Sequence, residues 1–284
     1  MIIYCCGAMR SGSTLLFTLV YALVKSELKK TRCYSVRIDS LEELEEQLLR
    51  YNLAKQNDKK LTLIVNGTFS KNIYSTLPSQ DTVFISSLRC VEDCLGSAKL
   101  RWGYRWTNSE TELKEVLRNL HLTMEGIKEV ADGCALVMDY EQLFGLTYIC
   151  LRKISNFLGY ADRSDNYYIS LCEKVKYANN SVSSSKVLKI FRNIRSSNFY
   201  ALLSDLSKKI LPYRIHKKIG YFVKTKVLKK YSTDSYIGPN HISKNGGVPG
   251  ASAKALTLDE KNFFAREIND LNKIKLDLIS KHGV

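Results

Sequence analysis

The run IIYCC-GAMRSGST-LLFTLVYALV, residues 2–24, constrains the fold more than any other part of the chain. A strand-length apolar stretch, Ile2 to Cys6, leads into a loop with glycines at 7 and 12. A long apolar run follows, which predicts a helix from about Ser13 to Lys29. Strand, glycine-bearing loop and helix in that order form the pattern of a phosphate-binding loop. The glycines let successive N–H groups turn toward one point, and the positive end of the helix adds to the same field. Ser13 and Thr14 contribute hydroxyl donors. The pattern departs from G-x-x-x-x-G-K-[ST] at one place: Ser13 stands where a nucleotide triphosphatase has lysine, and Arg10 lies three residues earlier.

The pattern repeats in coarse form. Cys33–Ile38, Leu61–Val65, Thr82–Leu88 and Ala135–Met138 read as further strands, with helical periodicity between them. The helix from Leu41 carries leucines at 41, 44, 48 and 49; Asp39 or Ser40 caps it, and Ser40 with Glu43 makes a capping box. Strands alternating with helices predict an α/β fold, a P-loop-like parallel sheet flanked by helices. A chain of 284 residues suits one such domain.

After Asp162 the strand signal stops. Asn179 to Ser185 (NNSVSSS) reads as a polar linker or mobile loop, and basic amphipathic stretches follow near 186–195, 199–211 and 214–230. Gly238 to Gly250 (GPNHISKNGGVPG) reads as a loop, and a helix runs from Asp259 to about Ser280. The expected division is an α/β core over 1–160, a basic, mostly helical insertion or cover over 161–237, and a loop with a final helix over 238–284.

Charge follows the same division. The formal net charge is +15. Between Lys174 and Lys230 there are 15 Lys and Arg against one acid, Asp205, so nearly all the excess lies there. Such a segment is a solvated basic surface or a site for an anionic ligand, lipid surface or nucleic acid. The eight cysteines contain no C-x-x-C pair and several sit in apolar runs, which points to buried reduced thiols in a cytoplasmic protein. The apolar run Leu15 to Val24 is too short to span a bilayer.

A kinase uses the loop lysine on the β/γ-phosphates and an acid at the end of another strand to hold metal. Here the strand TVFISSL runs into Arg89. The residues suit an anionic nucleotide met by cationic side chains and no metal.

Four stretches resemble the sulfotransferases that use 3′-phosphoadenosine-5′-phosphosulfate (PAPS). Arg10-Ser11-Gly12-Ser13-Thr14 is similar to their 5′-phosphosulfate loop. Arg89, with Ser97 eight residues on, resembles their strand-to-helix 3′-phosphate motif. Tyr140-Glu141-Gln142-Leu143 resembles their Y-E-D-L element, and Ser243-Lys244-Asn245-Gly246-Gly247 their second 3′-phosphate clamp. The match covers residues 1–160 well and 238–284 loosely.

The resemblance implies sulfuryl transfer from PAPS as co-substrate, without metal, to a small-molecule acceptor, as in stand-alone microbial enzymes that tailor natural products. Arg10 then faces the leaving bridging oxygen, and Ser13 and Thr14 hold the 5′-phosphate. Ser11, Gly12, Arg89, Ser97, Tyr140, Lys244, Asn245 and Gly246 complete the PAPS site. No nucleic-acid partner and no transmembrane segment are expected. The alternatives are a P-loop kinase and a basic nucleic-acid or membrane-surface binder.

Three readings stay open. Many relatives end the third strand in K-T-H, whose histidine is the base; here the residues are Asn66-Gly67-Thr68. Asp39 is the candidate replacement, as base or as helix cap, and His241 is the second candidate. Arg89 is a phosphate ligand or the partner of Glu92 or Asp93. Arg101 to Trp106 (RWGYRW) is a helix end packing aromatics inward, or a wall for an acceptor ring or cation.

Overall fold

A computed structural model describes residues 1–28, 33–38, 40–58, 61–103, 106–145, 147–184 and 248–283. Its centre is a five-stranded sheet in the order β2-β3-β1-β4-β5. The strands are β1 (Ile2–Gly7), β2 (Cys33–Arg37), β3 (Thr62–Asn66), β4 (Thr82–Leu88) and β5 (Ala135–Asp139). All pairings are parallel, with Tyr4 opposite Val65 on one side and Phe84 on the other. Every residue of β1 and β3 is buried. That is why these strands are continuous apolar runs without polar alternation.

Helices connect the strands: α1 (Ser13–Glu27), α2 (Leu41–Asn57), α3 (Lys71–Thr76), α4 (Val91–Trp102) and α5 (Ser109–Cys134). After β5 come α6 (Tyr140–Gly145), α7 (Thr147–Phe157) and α8 (Asp165–Ser184). The C-terminal region adds a 3₁₀ turn (Ala253–Ala255), α9 (Leu258–Phe263) and α10 (Ala265–His282). The helix α1 turns Leu16, Leu19, Val20, Leu23 and Val24 inward, the stripe expected of a helix laid on a sheet.

The chain divides into two compact units, Met1–Cys172 with Gly247–Val284, and Glu173–Gly246. The first holds the sheet. Of the second, the described residues are the last part of α8. The basic stretches after 185 and most of the glycine-rich loop, with His241, Lys244, Asn245 and Gly246, lie outside the described residues, as does Asp39.

The sequence-predicted strands are present, shifted by a residue at most at each end. Two expectations are corrected. NNSVSSS is not a linker up to Ser184: α8 runs through it, because Asn and Ser lower helix propensity by only a few tenths of a kcal/mol each. The final helix is two, broken at Phe264, whose backbone (φ −99°, ψ 12°) leaves the helical region. The cysteines described are free thiols, with Cys5, Cys6, Cys94, Cys150 and Cys172 buried.

Strand order places a topological switch between β1 and β4, since the chain leaves β1 for β2 and β3 on one side and then crosses to β4. Open α/β sheets bind ligands at the carboxyl edge of such a switch. The loop 8–12 and Arg89 both lie there.

Candidate functional site

The loop between β1 and α1 contains two left-handed residues, Arg10 (φ 67°) and Gly12 (φ 91°). Gly12 is required twice over. Its φ favours glycine, and a Cβ there would fall 2.1 Å from Cδ2 of Tyr140. Gly7 is held by space alone: a Cβ would come within 2.2 Å of the Ser11 hydroxyl and 2.6 Å of the Ser87 carbonyl. The Ser11 hydroxyl therefore occupies the room Gly7 leaves, buried and without a hydrogen-bond partner.

Behind this loop, α1 starts without a side-chain cap and with no acid in its first turn. The first N–H groups of an α-helix have no partner inside it, so this terminus offers donors and a positive field to an anion. Ser13 and Thr14 stand in that first turn.

Arg10 supplies a full charge beside it. Its Nε donates to Oγ of Ser97 at 2.9 Å. Its guanidinium carbon lies 5.8 Å from the centre of the Trp102 ring. Loss of water pulls its pKa down to about 10, and the charges of Arg101 and Arg89 pull the same way. It remains a cation at neutral pH, and three arginines share one field.

Arg89 leaves β4 and turns into the protein. It is 4% exposed. Its Nε and Nη2 donate to Oδ2 of Asp93 at 3.2 and 3.1 Å, and the Tyr140 ring lies 4.6 Å from its guanidinium carbon. The pairing with Asp93 anticipated from the sequence is present, but it is buried instead of lying on the surface.

Asp93 holds more than the arginine. Its Oδ1 accepts from the N–H groups of Ser252 and Ala253 at 3.1 and 2.9 Å, and its Oδ2 accepts from Gly250. Arg89 Nη2 also donates to the Val248 carbonyl, at 3.4 Å. One carboxylate thus fastens the segment 248–253 onto α4. The approach is so close that a Cβ on Gly96 would lie 1.9 Å from the Ser252 carbonyl oxygen.

The Y-E element after β5 divides its work. Tyr140 packs between Gly12 and Arg89. Glu141 accepts from the Cys90 N–H at 3.0 Å and from Lys275 of α10 at 2.6 Å. Lys275 also meets Asp139 at 2.9 Å. Burial alone would raise the Glu141 pKa, but its bonds to Asp139, Lys275 and the Cys90 N–H outweigh that and hold it down at about 2. Asn272, one turn earlier on α10, accepts from the Val91 N–H at 3.1 Å and donates to Glu92 at 3.0 Å.

The structure thus brings Arg10, Ser11, Gly12, Ser13, Thr14, Arg89, Ser97 and Tyr140 to one edge of the sheet. Sequence reasoning missed Asp93 as an anchor of the C-terminal segment, and it missed Asn272 and Lys275. A signal existed for Lys275: it occupies a core position of the stripe Ile268, Leu271, Lys275, Leu278, and a lysine there needs a buried acid. Trp102 and Trp106 pack against the core, as the inward reading expects, and Trp102 also faces Arg10.

No protein-family model matches the sequence, and no curated protein matches it. Among solved structures, the chain is similar to mouse sulfotransferase SULT7A1 complexed with PAP, with a TM-score of 0.54 at 14% identity, over 96% of this chain and 84% of that one. It is also similar to retinol dehydratase in complex with androsterone and the inactive cofactor PAP, with a TM-score of 0.51 at 16% identity, over 96% of this chain and 80% of that one. At these identities the likeness is one of fold.

Proposed function

We propose that this chain is a PAPS-dependent sulfotransferase acting on a small-molecule acceptor. The observation that carries the reading is the bare N-terminus of α1, reached through two left-handed residues and flanked by the half-buried charge of Arg10. The fold shared with PAP-bound sulfotransferases supports it.

In this reading the N–H groups and hydroxyls of Ser13 and Thr14 hold the 5′-phosphate. Arg89, Ser97 and the loop Lys244-Asn245-Gly246 hold the 3′-phosphate. The acceptor atom bonds to sulfur as the bond from sulfur to the bridging oxygen breaks, and the electron pair leaves with the phosphate oxygen. Arg10 stabilises the charge that grows there. Its pKa of about 10 keeps it cationic, so it acts electrostatically and passes no proton.

The acceptor's proton goes to a base, for which we favour Asp39, with His241 second; a nitrogen acceptor is the alternative. Asp39 is not needed as a cap, because the Ser40 hydroxyl caps α2 by accepting from the Glu43 N–H at 3.2 Å. We place the enzyme in the cytoplasm with a natural-product acceptor, on the thiol content and the small-molecule character of the reading. Among the described residues, no helix is long and apolar enough to cross a membrane.

Calorimetry without metal tests the cofactor assignment. Adenosine-3′,5′-bisphosphate should bind at least tenfold more tightly than AMP, since hydrogen bonds to a charged 3′-phosphate contribute about 1.5–3 kcal/mol. Equal binding of the two, or a preference for ATP with Mg²⁺, overturns it.

A further inference from the structure

An arginine carries its N–H donors in a fixed planar fork. At Arg89, Nε and Nη2 donate to Oδ2 of Asp93 at 3.2 and 3.1 Å, and Nη2 also reaches the Val248 carbonyl at 3.4 Å. No described residue accepts from Nη1. One edge of the guanidinium is therefore taken, and the N–H bonds of Nη1 are left for a ligand. Both partners are buried, Arg89 at 4% exposure and Asp93 at 0%. A guanidinium in such a place needs a counter-charge, and Asp93 provides it before any ligand arrives.

Asp93 has a second set of partners. Its Oδ1 accepts from the N–H groups of Ser252 and Ala253 at 3.1 and 2.9 Å, and its Oδ2 accepts from Gly250, a left-handed residue (φ 76°). The same carboxylate thus joins the arginine at the end of β4 to the segment 248–253, which in sequence follows directly on Ser243–Gly247. The joint has no slack, since a Cβ on Gly96 would lie 1.9 Å from the Ser252 carbonyl oxygen. These backbone N–H dipoles also damp the charge of Asp93. A bare carboxylate beside Arg89 would cancel much of its pull on an anion. One whose charge is met by backbone donors orients the guanidinium and leaves Nη1 attractive.

We propose that Asp93 is the positioning residue for recognition of the 3′-phosphate. It acts through Arg89 by aiming Nη1, and it ties that aim to the docking of segment 248–253. The inference rests on the sulfotransferase reading above and gives a residue outside that reading the task of telling nucleotides with a 3′-phosphate from those without. Coupling of this kind is reciprocal: if the docked segment helps to hold the phosphate, bound phosphate holds the segment down. Asparagine cannot replace Asp93. Its amide has a single accepting atom, so either Arg89 and Gly250 or Ser252 and Ala253 would face an amide N–H.

The test uses the full chain, calorimetry without metal, and a pair of ligands that differ only in the 3′-phosphate, adenosine-3′,5′-bisphosphate and AMP. Asp93→Asn should weaken the bisphosphate at least tenfold, the loss of one hydrogen bond to a charged group. AMP should weaken less than threefold, so the ratio of the two affinities falls. A role in folding alone would weaken both alike. Hydrogen exchange of the unaltered chain gives a readout that needs no variant. Amides 250–253 should exchange at least tenfold more slowly under saturating bisphosphate than under saturating AMP. An unchanged ratio in folded D93N, an equal loss for both ligands, or exchange that does not distinguish the ligands overturns the role of Asp93. Where D93N does not fold, the exchange decides. An unaltered chain without preference for the bisphosphate overturns the sulfotransferase reading itself, and the role of Asp93 with it.

Discussion

Two helices start at the same edge of the sheet, α1 behind β1 and α4 behind β4, and their N-termini are treated in opposite ways. At α1 there is no side-chain cap and no acid in the first turn, and Arg10 supplies a full positive charge in the loop that leads into it. At α4 the Cys90 N–H is taken by Glu141 and the Val91 N–H by Asn272, and Glu92 and Asp93 occupy the first turn. The chain enters the two helices differently, left-handed at Gly12 (φ 91°, ψ 13°) and with φ −48°, ψ 132° at Cys90, but both helices begin with N–H groups that have no partner inside the helix, so the helix end alone does not make an anion site. What decides is whether the protein supplies the negative partner itself. At α4 it does, and the carboxylates it places there fasten its C-terminal segments. At α1, on the proposed reading, the place is left to the cofactor's 5′-phosphate.

The largest expected effect breaks the α1 side. Arg10→Ala should lower turnover by roughly 10²–10³ at saturating PAPS, the range for removing one group that meets a developing oxyanion. Bisphosphate affinity should change much less. Wild-type turnover in the variant would remove Arg10 from the chemistry.

The α4 side should break in stability first. Lys275→Met leaves Asp139 and Glu141 facing each other without their cation. Losing one partner of a buried charge cluster costs about 3 kcal/mol or more, read as a lower denaturant midpoint. An unchanged midpoint would show that the cluster does not fasten α10.

A smaller effect tests the far end of α4, where Lys99 meets Glu260 of α9 at 2.6 Å. Burial would raise the Glu260 pKa, but Lys99, Ser109 and the Thr257 N–H outweigh it and hold it at about 2, below the ordinary 4.5. Because the folded value is the lower one, this contribution is complete above about pH 4.5 and is lost as pH falls toward 2. Glu260→Gln should cost about 1 kcal/mol at neutral pH, given partial exposure. It should also flatten the acid limb of the stability curve between those values. An acid limb of unchanged slope would assign the loss elsewhere.

The smallest stability effect gives the sharpest comparison. Ser13→Asp puts into α1 the kind of residue α4 already has. It should stabilise the helix by about 0.5 kcal/mol while weakening bisphosphate binding at least tenfold. If binding survives, the first turn of α1 is not where the anion sits.

The central strands β1 and β3, Ile2–Gly7 and Thr62–Asn66, were legible because they are fully buried, so apolar runs mark them. The loop was legible because glycine positions and helix onset are local properties. Contacts that complete the site were not, because they join residues far apart: Arg10 with Ser97, and Asp93 with Ser252. No local pattern encodes a partner 159 residues away.

The positive φ of Arg10 has an evolutionary consequence. A side chain held in that conformation costs about 1 kcal/mol that glycine would not. Random drift under selection for folding alone would thus replace the arginine, since stabilising changes are plentiful wherever function does not oppose them. On the proposed reading, arginine at position 10 is then a marker: a descendant gene that keeps it is still being selected for the reaction, and one that has glycine there has been retired to some other use.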